Sequence, residues 1–181
     1  AGQLAQAEAM YRQALEVSPS DAIAAPAFAD FMLSVRNDPD AAESVYRRAI
    51  ENNPNNVPVM AAFAYFLHEV RQDYPAAEEW YRRAIEADRF YPDLLGRYAW
   101  FLHLRRRDGV SAEREYRRAL EVDLRDPAVR ANFACLLLTR ATPDSIREAV
   151  GYAQEALALN AARPTQVRAE ALLYLSLADE L

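Results

Sequence analysis

The motif Tyr11-Arg12-Gln13-Ala14-Leu15-Glu16 returns as Tyr46-Arg47-Arg48-Ala49-Ile50-Glu51, Tyr81-Arg82-Arg83-Ala84-Ile85-Glu86 and Tyr116-Arg117-Arg118-Ala119-Leu120-Glu121, each tyrosine 35 residues after the last. A looser fifth copy ends in Ala156-Leu157. Self-similarity at such a period argues against one globular core. It predicts an array of like units, each burying its apolar face against a neighbour.

A second pattern runs upstream in the same period. Phe28-Ala29, Phe63-Ala64, Tyr98-Ala99 and Phe133-Ala134 align, and Met32, Leu67, Leu102 and Leu137 follow three residues after each alanine. Large, small and large apolar residues at i, i+1 and i+4 share one helix stripe. Each unit therefore reads as two helices, A with the Phe-Ala pattern and B with the Tyr-Arg pattern. Asp38-Pro39, Asp73-Tyr74-Pro75, Asp108-Gly109 and Thr142-Pro143 supply a capping residue at the start of each B helix. The A helices run out near Arg36, Arg71, Arg106 and Arg140. Connections of a few residues require antiparallel neighbours.

Composition agrees. Hydrophobic residues make up 52 % of the chain and there are only four glycines, which favours an all-α protein. The net charge of −6 argues against a polyanionic partner. Cys135 is the single cysteine, so no disulfide or multi-cysteine zinc site forms within the chain. The longest apolar run, Val57 to Leu67, is about half of a bilayer span. The chain begins without Met, inside a repeat, and reads as a fragment of something longer; cytoplasmic localisation is the expectation.

On helix B, Ala77, Tyr81 and Ala84 share a face, as do the equivalent trios around Tyr11, Tyr46 and Tyr116; small residues on either side of one ring serve close helix packing. The ladders Glu8-Arg12-Glu16, Glu43-Arg47-Glu51, Glu78-Arg82-Glu86 and Glu113-Arg117-Glu121 have i, i+4 spacing. They are expected to form a solvated outer face. Trp80 is expected to cover the A–B turn.

These patterns together resemble the tetratricopeptide repeat: a large-small apolar pair on A, Ala-x-x-x-Tyr-x-x-Ala-Leu/Ile on B, and Pro19 or Pro54 after B. That family's period is 34, so each unit here carries one extra residue, placed in the turn between A and B. The resemblance implies a right-handed superhelical solenoid of about ten helices with A helices lining a concave groove. Its parts would be a lone B helix in 1–21, full repeats at 22–56, 57–91, 92–126 and 127–162, and a capping or truncated-repeat helix in 163–181.

Catalytic signatures are absent: there is no phosphate loop, His-Glu-x-x-His or Gly-x-Ser-x-Gly. His68 and His103 occupy the same place in successive A helices, with no third ligand to complete a metal site. No enzyme activity and no cofactor are therefore expected. With the packing stripe removed, each A helix leaves one set of groove positions. These are Pro26, Asp30 and Leu33; Ala61, Tyr65 and His68; Gly96, Trp100 and His103; and Ala131, Cys135 and Leu138, with Arg97 and Asn132 flanking. Small residues beside Tyr65 and Trp100 suggest a shallow trough for a peptide or helix of a partner protein. Lys, Asn and Arg are missing from the places where some tetratricopeptide domains hold a terminal carboxylate, which disfavours that role.

Two alternatives belong to other classes. The period of 35 also resembles pentatricopeptide repeats, and Tyr98-Ala99-x-Phe101 resembles half-a-tetratricopeptide units of RNA-processing complexes; alternatively, the array is the recognition region of a larger enzyme. Self-association through the unpaired end helices is a further expectation.

Overall fold

Alternating Phe-Ala and Tyr-Arg patterns become alternating helices in the computed structural model, which describes residues 2–159 and 172–178. Two compact units divide the chain, Ala1–Arg89 and Phe90–Leu181. The first holds α1 (Gly2–Val17), α2 (Ala24–Ser34), α3 (Pro39–Asn52), α4 (Val57–Phe66) and α5 (Tyr74–Ala87). The second holds α6 (Pro92–Phe101), α7 (Gly109–Val122), α8 (Pro127–Leu138) and α9 (Pro143–Leu159), and residues 172–178 are also helical. Among the described residues there is no strand. The remainder of the helix expected in 163–181 lies outside the described residues. Even-numbered helices are the A type and odd-numbered ones the B type, so the architecture is an all-α solenoid of helix pairs.

The capping residues act as their chemistry demands. Asp38, Asp73 and Asp108 accept from the amides of Ala41 (2.9 Å), Ala76 (3.1 Å) and Ser111 (3.0 Å). Thr142 and Ser145 cap α9 reciprocally, each amide donating to the other's hydroxyl at 3.2 Å. The packing trios of α3, α5 and α7 are closed to solvent: Ala42, Ala77 and Ala112 are buried with Tyr46, Tyr81 and Tyr116. Within each unit a tyrosine of a B helix meets phenylalanine of the A helix that follows it. Tyr46 lies 5.6 Å from both Phe63 and Phe66, and Tyr116 lies 5.4 Å from Phe133. Offset and tilted rings at such distances add to the area they bury.

The extra residue of the 35-residue period sits in the last turn of helix A, just ahead of the A–B connection. After α4 and α6 the chain continues through Leu67–Arg71 and Leu102–Arg106 in π conformation, closed by i→i+5 bonds. Gln72 and Arg107 then turn left-handed, with φ of 56° and 54°. The amides of Gln72 and Asp73 both donate to the Leu67 carbonyl, as those of Arg107 and Asp108 do to Leu102. After α2, Arg36 likewise donates back five residues to Phe31, and Asn37 is left-handed. After α8 the bonds tighten to i→i+3, and the left-handed residue, Ala141, arrives 34 residues after Arg107. A wide last turn holds one residue more than a tight one, and this accounts for the difference.

The charge ladders depart from the expected solvated face. Their first glutamates are largely enclosed, the side chains of Glu8, Glu43 and Glu113 being 10 %, 20 % and 20 % exposed. Each binds two arginines, one on its own helix and one at the end of the next A helix. Glu43 takes Arg47 at 2.7 Å and Arg71 at 2.8 Å; Glu113 takes Arg117 at 2.6 Å and Arg140; Glu8 takes Arg12 and Arg36. The guanidinium of Arg47 also lies 5.4 Å over Phe63, and that of Arg117 5.2 Å over Phe133. These carboxylates therefore fasten one repeat to the next. The middle arginines, Arg12, Arg47, Arg82 and Arg117, and last members such as Glu51 and Glu121 are exposed as expected.

The Arg140 bond, followed by Arg117, holds the Glu113 carboxyl below its ordinary value of 4.5. A carboxyl with a depressed folded pKa contributes stability that is present above the ordinary value and lost as the pH falls through the folded one. Glu113→Gln is expected to lower the melting temperature at pH 7 and to flatten the loss of stability below about pH 5. Parallel melts of the two proteins across that range check this; identical profiles would contradict it.

Candidate functional site

In each unit one A-helix ring stands edge-on to an imidazole. In the first, Tyr65 of α4 is 41 % exposed, and its ring meets the His68 ring edge-on at 5.9 Å. His68 itself is fully buried, Nε2 3.0 Å from the Glu69 carboxylate and Nδ1 3.5 Å from the Tyr81 hydroxyl. It supports the face from beneath and does not line it. Asp30 of α2 is exposed, with its carbonyl accepting from the Ser34 hydroxyl at 2.7 Å, and Leu33 is half-buried.

In the second unit Trp100 is half-buried and meets His103 edge-on at the same 5.9 Å. Burial pushes the His103 imidazole below its ordinary pKa, which favours the neutral ring. Its Nδ1 and the Tyr116 hydroxyl are buried, and neither has a hydrogen-bond partner among the described residues. They are the repeat counterparts of the His68 and Tyr81 atoms that face each other in the first unit. Burial raises the Tyr116 phenol, and the neighbouring Cys135 and Tyr174 add to that rise. Arg97 pairs with Asp93 at 2.8 Å. Asn132 and Cys135 are half-buried on α8, whereas Leu138 is buried.

The small residues expected to floor a trough are packed instead. Ala61 and Ala131 are 2 % and 0 % exposed. A Cβ on Gly96 would fall 2.7 Å from Val129 Cγ2, so its missing side chain admits α8 against α6. The Trp80 ring stands edge-on to Phe63 at 5.3 Å. Glu69, whose carboxylate meets His68 Nε2, was not among the expected site residues, and its position next to His68 was the available signal.

Among the described residues no group of three or more His, Cys, Asp or Glu is placed to hold a metal ion. Nor is any helix among them long and apolar enough to cross a membrane.

Comparison with known proteins fits this geometry. No curated protein matches the sequence. A model described as tetratricopeptide repeat matches residues 1–57, and one described as TmcB, TPR repeats, matches residues 40–90. Among solved structures, a thermophilic TPR protein of Thermus thermophilus is similar at 18 % identity and a TM-score of 0.75, over 97 % of this chain and 92 % of that one. Yeast Tom70 superposes with a TM-score of 0.78 at 20 % identity, over 99 % of this chain and 36 % of that one. YrrB, described as a TPR protein with an unusual peptide-binding site, gives 0.61 at 20 % identity, over 94 % and 91 %. With the same packing trio on α3, α5 and α7 and family matches over its first half, the chain is a tetratricopeptide-repeat protein.

Proposed function

We propose that the chain is a noncatalytic protein-interaction scaffold whose A helices bind a peptide segment or helix of a partner protein. The observation that carries this reading is the pair of rings, Tyr65 and Trp100, each braced edge-on by a histidine at 5.9 Å. A ring already held in place loses little conformational freedom on binding, which suits an anchor. In the first unit Asp30 and Leu33 supply further contacts and His68 supports them; in the second Arg97, Asn132 and Cys135 do so, supported by His103 and Leu138. The likeness to YrrB and its described peptide-binding site lends support from the fold. The net charge of −6 weighs against nucleic acid as the partner.

Selection of a random peptide library on the chain, followed by titration of the selected peptides, tests this. Tyr65→Ala with Trp100→Ala is expected to weaken them at least tenfold, about 1.4 kcal/mol, with helical content and melting kept. Unchanged affinity in the folded variant would remove these rings from the binding surface.

A further inference from the structure

Phe63 and Phe133 are each covered by a second ring from the following B helix. Trp80 stands edge-on to Phe63 at 5.3 Å, and Tyr152 lies 4.9 Å from Phe133. The repeat equivalent of these phenylalanines in the first helix pair is Phe28, and the equivalent of Trp80 is Val45. Valine is too short to reach across. A cleft of about 480 Å³ opens there between α1, α2 and α3, with Phe28, Met32 and Val45 among its lining and Glu8, Arg12 and Arg36 at its rim. That volume lies within the range of sites that take small organic groups.

The frame of the cleft is the frame around Trp80, one repeat earlier. Glu8, Arg12 and Arg36 stand where Glu43, Arg47 and Arg71 stand, with the same carboxylate joining the same two guanidinium groups. Arg12 lies 6.0 Å over Phe28 as Arg47 lies 5.4 Å over Phe63. What changes between the two places is the ring. The rim also restricts the chemistry of an occupant. A cation meets two guanidinium groups and finds the carboxylates of Glu8 and Asp38 engaged, the one by both arginines and the other by the Ala41 amide; an anion meets a glutamate already holding both guanidinium groups. A neutral aromatic ring meets an edge-on partner in Phe28 and cations at its periphery.

We propose that this cleft takes an aromatic side chain, an indole foremost, presented by a partner protein, in the place that Trp80 fills in the next repeat. The site is separate from the rings of Tyr65 and Trp100, so the two can be tested apart.

The test is a titration of the chain with N-acetyl-tryptophanamide to millimolar concentration, followed in amide ¹H–¹⁵N spectra. Saturable shifts clustered around Phe28, Met32 and Val45 are expected, with little response to N-acetyl-leucinamide. Val45→Trp, which rebuilds the Trp80 arrangement from within, is expected to melt no lower than the parent and to abolish the response. No saturable shift in this cluster, an equal response to the leucine amide, or a response that survives Val45→Trp would each overturn the proposal. So would shifts of the same residues with protein concentration alone, which would assign the cleft to a second copy of the chain. The titration of the unaltered chain decides the matter even where the variant does not fold.

Discussion

Phe63→Ala is expected to destabilise the first unit by about 3 to 5 kcal/mol, the range for deleting a buried aromatic side chain and leaving a cavity. The position is chosen because so much meets there. Phe63 is fully buried, Tyr46 and Phe66 stack against it at 5.6 and 6.1 Å, Trp80 stands on its edge and Arg47 lies over its face. Those groups come from both neighbouring B helices as well as its own helix, so the loss falls on the fastening between repeats. Urea denaturation followed by far-UV circular dichroism would show a lower midpoint. A loss under about 1 kcal/mol would mean that the rings collapse into the space, and that the stack is less committed than its distances imply.

Gly96→Val is expected to cost about 3 kcal/mol, at the upper end of overpacking. The first added carbon would already fall 2.7 Å from Val129 Cγ2. Val129 is 4 % exposed and β-branched, so it has little freedom to turn aside. Replacing glycine within a helix gains a few tenths of a kcal/mol in propensity, too little to offset the clash. Val129→Ala in the same chain should recover part of the loss, giving a coupling of more than 0.5 kcal/mol in a double-mutant cycle. Additive effects would show that something other than this contact sets the spacing of α6 and α8.

Much of the fold is legible in the sequence because packing repeats with the period. Tyr46, Tyr81 and Tyr116 keep their alanine neighbours, and one interface, solved once, explains the others. The caps are legible for the same reason, since Asp38, Asp73 and Asp108 do local work that needs no knowledge of tertiary contacts.

What escaped depends on contacts between repeats. Glu43 and Arg47 look like a surface pair when counted along one helix, and nothing local shows that Arg71, 28 residues on, closes over the same carboxylate. The recurrence of Arg36, Arg71, Arg106 and Arg140 was visible, but as a helix-end signal. Ala61, Gly96 and Ala131 were read as an open floor because small residues suit both a trough and a close helix contact; only the neighbouring helix decides between them. His68 is polar and was placed on the surface. Its burial is explained by Tyr81 and Glu69, which meet both its nitrogens.

The widened last turn of helix A has a genetic consequence. Because a residue gained or lost is absorbed between Leu67 and Asp73, or at the matching place in another repeat, the apolar stripes on either side keep their phase. The tight turn after α8 shows the shorter form in the same chain. In-frame duplications or deletions of 34 or of 35 codons should therefore both yield arrays that fold, and the number of repeats can change by recombination without a search for compensating substitutions.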